Sequence, residues 1–253
     1  MNIRIIPRLD IKGINVIKGI QMDGLRVLGN PNDFAKKYFE AGADEIAFFD
    51  VVASLYGRNN LLELIREVAQ STFLPLTVTG GIRNLEDARL TMASGADKVG
   101  LNTGAINNPK IIHEVARVFG NQAAVISIEA RRISTSSWEA FTESGREPSG
   151  RDVLEWVKQV ESLGAGEISI TSVDKDGTLK GPDLDLINEV RCATSLPLVA
   201  GGGIANVNHV LSVAKTGVDG ILVGLALHKE LFTIKEAKVL IDESGFSCRL
   251  NFK

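Results

Sequence analysis

Residues 74–97 read LPLTVTGGIRNLEDARLTMASGAD, and residues 196–219 read LPLVAGGGIANVNHVLSVAKTGVD. At an offset of 122 the second stretch lies over the first, with Leu74 on Leu196, Gly80 and Gly81 on Gly202 and Gly203, Asn84 on Asn206, and Asp97 on Asp219. The same offset lays GADEIAF (42–48) over GAGEISI (164–170) and pairs Glu45 with Glu167. A nearby offset of 119 lays LDIK (9–12) over IEAR (128–131) and pairs Asp10 with Glu129. A repeat of this length is one structural unit written twice, so the chain is two related halves, about 1–122 and 123–253.

Each half alternates short apolar runs with amphipathic stretches. Strands are expected at 3–10, 45–50, 75–79, 97–101, 123–128, 167–171, 197–201 and 219–223. Helical patterns separate most of them, as in 32–42, 61–71, 85–95 and 153–164. Strands separated by helices of this length mean βαβ units and a parallel sheet. Eight such units in a twofold repeat, within 253 residues, predict an α/β fold that is a closed (β/α)8 TIM barrel with half-barrel repeats, forming one domain over 1–253.

Composition narrows the function classes. With 28 basic against 31 acidic residues there is no basic footprint, so no nucleic-acid partner is expected. The longest stretch free of Asp, Glu, Lys and Arg, 192–214, is broken by Pro197, three glycines and two asparagines, so no membrane span is expected either. Cys192 and Cys248 are too few for a disulfide framework or a zinc site, which suits a reducing, cytoplasmic setting. His113, His209 and His228 lack ligand spacing and read as structural or surface residues, so neither a metal nor a cofactor is expected.

In such a barrel, chemistry sits at the carboxyl ends of the strands. There the first strand ends in Asp10 and the fifth in Glu129, a candidate acid/base pair. The structural alternative is that both are solvated or paired with Lys12 and Arg131. Gly80-Gly81 and Gly202-Gly203 follow the third and seventh strands, where glycine lets backbone N–H groups approach an anion. Asn102-Thr103 and Gly224-Leu225 complete two equivalent sites, which together suit a ligand with a phosphate at each end; tight turns alone would also use these glycines. The DKDGT segment (174–178) is a polar loop, with Gly177 a further N–H donor and Asp176 a substrate-binding candidate; Asp50 and Thr171 are candidates for ligand hydroxyls. Two long polar stretches, 13–31 with Lys18 and 132–151, are expected as lids or binding loops. Lys18 would then meet a phosphate or the reacting centre on closure, or else stay solvated.

RIIPRLDIKGINVIKG (4–19), ADEIAFFDVVAS (43–54), TGGIRNLEDAR (79–89), GADKVGLNTGAI (95–106), GAGEISITSVDKDGT (164–178) and AGGGIAN (200–206) together resemble the HisF family, the cyclase subunit of imidazole glycerol phosphate synthase, a cousin of the isomerase HisA. The resemblance implies an ammonia-dependent cyclase/lyase of histidine biosynthesis that converts a bis-phosphate phosphoribulosyl-formimino compound into imidazole glycerol phosphate and aminoimidazole carboxamide ribotide. It implies catalytic roles for Asp10, Glu129 and Lys18, and an ammonia gate of Arg4, Glu45, Lys98 and Glu167. It also implies a HisH-like glutaminase partner on the amino-terminal face of the barrel, forming a heterodimer.

The sequence departs from the family pattern in places. Glu129 stands where the family has Asp, Arg8 where a small residue or cysteine is usual, and Gly201 and Leu225 where serines are typical. A misplacement of about 1 Å can cost on the order of 100-fold in rate. The segment VGLAL (223–227) resembles HisA more than HisF. Three alternatives therefore accompany the cyclase: a HisF-like paralogue that works with an amidotransferase to amidinate a surface-polysaccharide sugar, a HisA-like isomerase, and a non-enzymatic phospho-sugar scaffold.

Overall fold

A computed structural model describes residues 2–52 and 61–250. The chain opens with β1 (Arg4–Lys12), then the hairpin β2 (Asn15–Ile20) and β3 (Asp23–Gly29), and α1 (Pro31–Glu40). There follow β4 (Ile46–Asp50), α2 (Leu62–Ser71), β5 (Leu76–Thr79), α3 (Leu85–Ala93), β6 (Lys98–Leu101), α4 (Thr103–Asn107) and α5 (Lys110–Phe119). The second half runs β7 (Ala124–Ser134), the hairpin β8 (Ser137–Thr142) and β9 (Glu147–Asp152), α6 (Val153–Ser162), β10 (Glu167–Ser172) and α7 (Leu184–Ala193). It ends with β11 (Leu198–Gly201), α8 (Val207–Ala214), β12 (Gly220–Val223), α9 (Leu225–His228) and α10 (Ile234–Glu243).

Parallel pairing runs β1–β4–β5–β6–β7–β10–β11–β12 and returns to β1, so the sheet closes into the expected barrel of eight strands. Successive strand residues point to opposite faces. The outward set, including Ile5, Leu9, Phe48, Ile126 and Ile168, packs with the helices into the main apolar core. The inward set, including Ile6, Ala47, Phe49, Val199 and Leu222, forms a smaller second core inside the barrel. Full burial on both faces is why these strands read as near-continuous apolar runs.

The repeat reappears in the geometry, residue for residue. Asn84 caps α3 by accepting from the Asp87 N–H at 2.9 Å, and Asn206 caps α8 by accepting from the His209 N–H at 3.0 Å. Their backbones match at φ −152, ψ 173 and φ −153, ψ 172. The Asp97 carboxylate accepts from Leu76 N–H at 2.8 Å, and that of Asp219 from Leu198 N–H at 2.9 Å. Each therefore fixes the start of the preceding strand to the start of the next.

The two stretches expected as loops differ from that expectation. Most of 13–31 is the β2–β3 hairpin, and most of 132–151 is the far end of β7 with β8 and β9. Both are antiparallel extensions of barrel strands, with Asp10 opposite Ile17 and Glu129 opposite Phe141. The alternation that marks a strand is weak because β3 is exposed on both faces, with residues such as Val27 and Leu28 in solvent.

Candidate active site

Residues 4, 6, 8 and 10 of β1 point into the barrel in turn, the period-two consequence of a strand. At the carboxyl end of the strands, Asp10 accepts from Arg8 Nε at 2.6 Å and from Lys18 Nζ at 2.6 Å. Lys18 continues to Asp176 at 2.8 Å, and Arg8 Nη1 donates to the Thr171 hydroxyl at 3.2 Å. The Arg8 guanidinium lies over the Phe49 ring, 3.9 Å from its centre. Lys18 is thus already buried against the carboxylates, delivered by a hairpin strand and not by a loop that has yet to close. The hairpin is held there by Gln21 N–H, which donates to the Asp176 carbonyl at 2.7 Å.

Asp10 and Glu129 are both nearly fully buried, yet their environments drive them apart. Burial would raise the Asp10 carboxyl, but Arg8 and Lys18 outweigh it and hold it at about 2. Burial raises Glu129 and Arg8 offsets only part of this; Asp10 adds repulsion, and the group reaches about 7. The Glu129 side chain accepts from Asn102 Nδ2 at 2.9 Å. Two cations, Arg8 and Lys18, face two carboxylates, Asp10 and Asp176, so charge balances without Glu129. At neutral pH the site holds an ionised carboxylate on β1 and, on β7, a carboxyl close to its midpoint that still carries its proton in part of the population. That is the division an acid/base pair needs. The ion pairs expected as the structural alternative do not form here: Arg131 stacks on Phe141 and donates to the Gly145 carbonyl, and Lys12 is exposed.

Two cavities flank this pair. One of about 240 Å³ is lined by Gly80, Gly81, Asn102, Thr103, Asp50 and Glu129, all singled out from sequence. A second, of about 20 Å³, is lined by Asp176, Gly177, Gly202, Gly203, Gly224 and Leu225, with Arg8 beside them. Gly80 at φ 108 and Gly202 at φ 103 share a backbone that only glycine adopts readily, and a Cβ on Gly80 would collide with the Asp50 carbonyl. Asn102 (φ −125, ψ −94) and Gly224 (φ −107, ψ −96) repeat one another's backbone in the same way. Asp50 also accepts from the Val52 N–H at 3.1 Å.

Sequence reasoning missed the tip of the β8–β9 hairpin. Glu143 and Ser144, at φ 51 and 58, line the larger cavity. The Ser144 hydroxyl donates to the Val51 carbonyl at 3.0 Å, and the Glu143 N–H donates to the Thr103 hydroxyl at 3.2 Å. The Ser-Gly turn (144–145) was the available signal. Arg83, next to the Gly80-Gly81 pair, lines the same cavity.

At the opposite end of the barrel Arg4, Glu45, Lys98 and Glu167 form a closed ring. Arg4 bridges Glu45 at 2.7 Å and Glu167 at 2.6 Å, and Lys98 bridges them at 2.9 and 3.1 Å. Above the ring lies a small space of about 10 Å³ walled by Ile6, Ala47, Thr77, Val125 and Ser169, with Phe49 among its lining. A single small molecule such as water needs about that much room. Among the described residues there is no cluster of His, Cys, Asp and Glu suited to a metal ion, and no helix long and apolar enough to cross a membrane.

A barrel with duplicated glycine cradles and a split carboxyl pair defines a class, and residues 4–233 match the family model described as histidine biosynthesis protein. The chain is 50% identical over 208 residues to the imidazole glycerol phosphate synthase subunit HisF of Legionella pneumophila, covering 82% of this chain and 98% of that one. It is 42% identical over 246 residues to the subunit of the same name from Exiguobacterium sibiricum, covering 97% and 98%. The chain belongs to the HisF family of histidine-biosynthesis barrels. The motif ADEIAFFDVVAS that contributed to this resemblance ends in Ala53 and Ser54, which lie outside the described residues.

Proposed function

We propose that the chain is the cyclase subunit of imidazole glycerol phosphate synthase, an ammonia-dependent lyase. The observation that carries the reading is the split carboxyl pair set between two repeated glycine cradles. The substrate spans the mouth with one phosphate in each cradle, taking N–H groups at Gly80-Gly81 and Gly202-Gly203. Ammonia attacks the ribulosyl carbonyl between them. The ionised Asp10 takes the proton that the nitrogen sheds as it bonds to carbon, and the Glu129 carboxyl donates one to the departing oxygen. Ring closure and C–N scission then release the two products. Lys18, against Asp10 and Asp176, keeps the base ionised.

The word "subunit" in the relatives' names supports a complex, and the partner in this reading is a glutaminase seated on the amino-terminal face, with the Arg4–Glu45–Lys98–Glu167 ring gating ammonia. The two halves act as one domain, since each anion cradle belongs to one half and the reacting groups come from both.

Steady-state turnover of the purified chain in excess ammonium, with the phosphoribulosyl-formimino intermediate, tests this. Formation of aminoimidazole carboxamide ribotide is the expected result. No turnover, with the bis-phosphate still bound, would move the assignment to a sugar-amidating relative.

A further inference from the structure

Arg8 is the residue of the site least explained by the proposed reaction. It is 3% exposed and sits on β1 one inward step below Asp10 and one above Ile6, which lines the small space over the charged ring. Its position is over-determined: Nε on Asp10, Nη1 on Thr171 of β10, and the guanidinium face on Phe49 of β4. Holding an arginine here removes a strongly solvated group from water, so its surroundings must repay the charge. Aliphatic residues would fill the same space without that cost.

The groups around it explain the repayment. On its own strand is Asp10; from β2 comes Lys18, from β7 Glu129, from the loop after β10 Asp176, and from α9 His228. Asn102, past β6, bonds Glu129. Without Arg8 one cation, Lys18, would face two carboxylates and Glu129 besides. We propose that Arg8 is a positioning residue of the reaction, which anchors the Asp10 carboxylate toward the mouth and supplies the second cation that faces both the base on β1 and the acid on β7. This rests on the cyclase reading for what the pair does, but not for how the pair is charged.

The burial that raises both carboxyls is opposed at both by Arg8, the largest opposing charge at each. An opposite charge within about 4–6 Å lowers a carboxyl by about 1–3 pH units, so its removal moves both groups upward. Lysine can replace the charge but not the planar two-point grip on Asp10 and Thr171.

The test is carboxyl titration of the free protein, followed by 13C NMR or infrared difference spectroscopy, for the parent chain, Arg8→Met and Arg8→Lys. In Arg8→Met the Glu129 midpoint should rise from about 7 by at least one pH unit. In Arg8→Lys most of the parent value should return. The pH profile of kcat/KM for ammonium-driven turnover should move in parallel, its alkaline limb shifting upward. Unmoved midpoints with a lowered rate would reduce Arg8 to a packing role and overturn the proposal. Shifted midpoints in a chain without turnover would keep Arg8 as inferred and defeat the cyclase reading instead. If Arg8→Met fails to fold, Phe49→Leu loosens the stacked guanidinium in place and should give a smaller rise in the same direction; no rise there overturns the proposal.

Discussion

Asp10 and Glu129 share a role in the repeat and yet titrate far apart, because Arg8 and Lys18 both reach Asp10 while Glu129 receives an amide. Asp10→Asn keeps the shape and removes the base. Turnover should fall by about 100-fold or more while a bis-phosphate ligand still binds, checked by single-turnover kinetics and calorimetry. Turnover at parental level would remove Asp10 from the mechanism. The kcat/KM of the parent chain should decline above about pH 7 as Glu129 loses its proton, and Glu129→Gln should abolish that limb along with most of the rate.

Stability carries the same signature with worked signs. The Glu129 carboxyl is raised from 4.5 to about 7, so between those values the folded state binds the proton that the unfolded chain has lost. Stability is therefore drained as pH rises through that window, and Glu129→Gln should gain on the parent chain over it, as measured by urea unfolding at pH 4.5 and 7.5. The Asp10 carboxyl is depressed, so its contribution is complete above its unfolded value and is lost as pH falls toward about 2. The residues of this pair were legible in sequence because the repeat set them opposite one another; their division of labour was not. It depends on burial, on Arg8 and on Lys18, whose ammonium is held by Asp176 from 158 residues away.

Helices and strands were largely readable from periodicity, and their ends agree within a few residues, as for α3 at Leu85–Ala93 against 85–95. The caps explain why those helices begin where they do. Asn84→Ala and Asn206→Ala should each cost about 1 kcal/mol in denaturant unfolding and should add in the double variant, since they cap separate helices. A double variant no weaker than either single one would show that the halves are coupled at those positions. The hairpins were not readable, because none of their strands alternates cleanly: β3 and β9 are largely exposed along their length, and β2 and β8 carry runs of consecutive buried residues. The β8–β9 tip matters for the site: Gly145 has φ 77 and packs against Met22 of the other hairpin and Val173. Gly145→Val should force the tips apart and admit water beside Glu129. We expect KM to rise more than kcat falls, measured in ammonium-driven turnover.

Long-range closure is secured by a group that pattern reading passes over. Lys238 of α10 is fully buried and donates to the Gly42 carbonyl at 2.8 Å, to Asp44 at 2.7 Å and to the Arg249 carbonyl at 2.9 Å. It ties the last helix and the chain's end to the turn before β4. Lys238→Met would leave the Asp44 carboxylate with the Ile5 N–H at 2.8 Å and Arg249 Nε at 3.8 Å, and would orphan the Gly42 carbonyl; it should cost about 1–3 kcal/mol in urea unfolding, with little change in KM for the folded fraction. The α/β alternation, the twofold repeat, the paired glycine cradles and the barrel they compose follow from local periodicity and spacing, which any stretch of chain carries along its own length. Which carboxyl keeps its proton, what Arg8 grips, how two hairpins roof the mouth and where Lys238 anchors depend on burial and on charges brought together from distant segments. Those quantities exist once the barrel has closed.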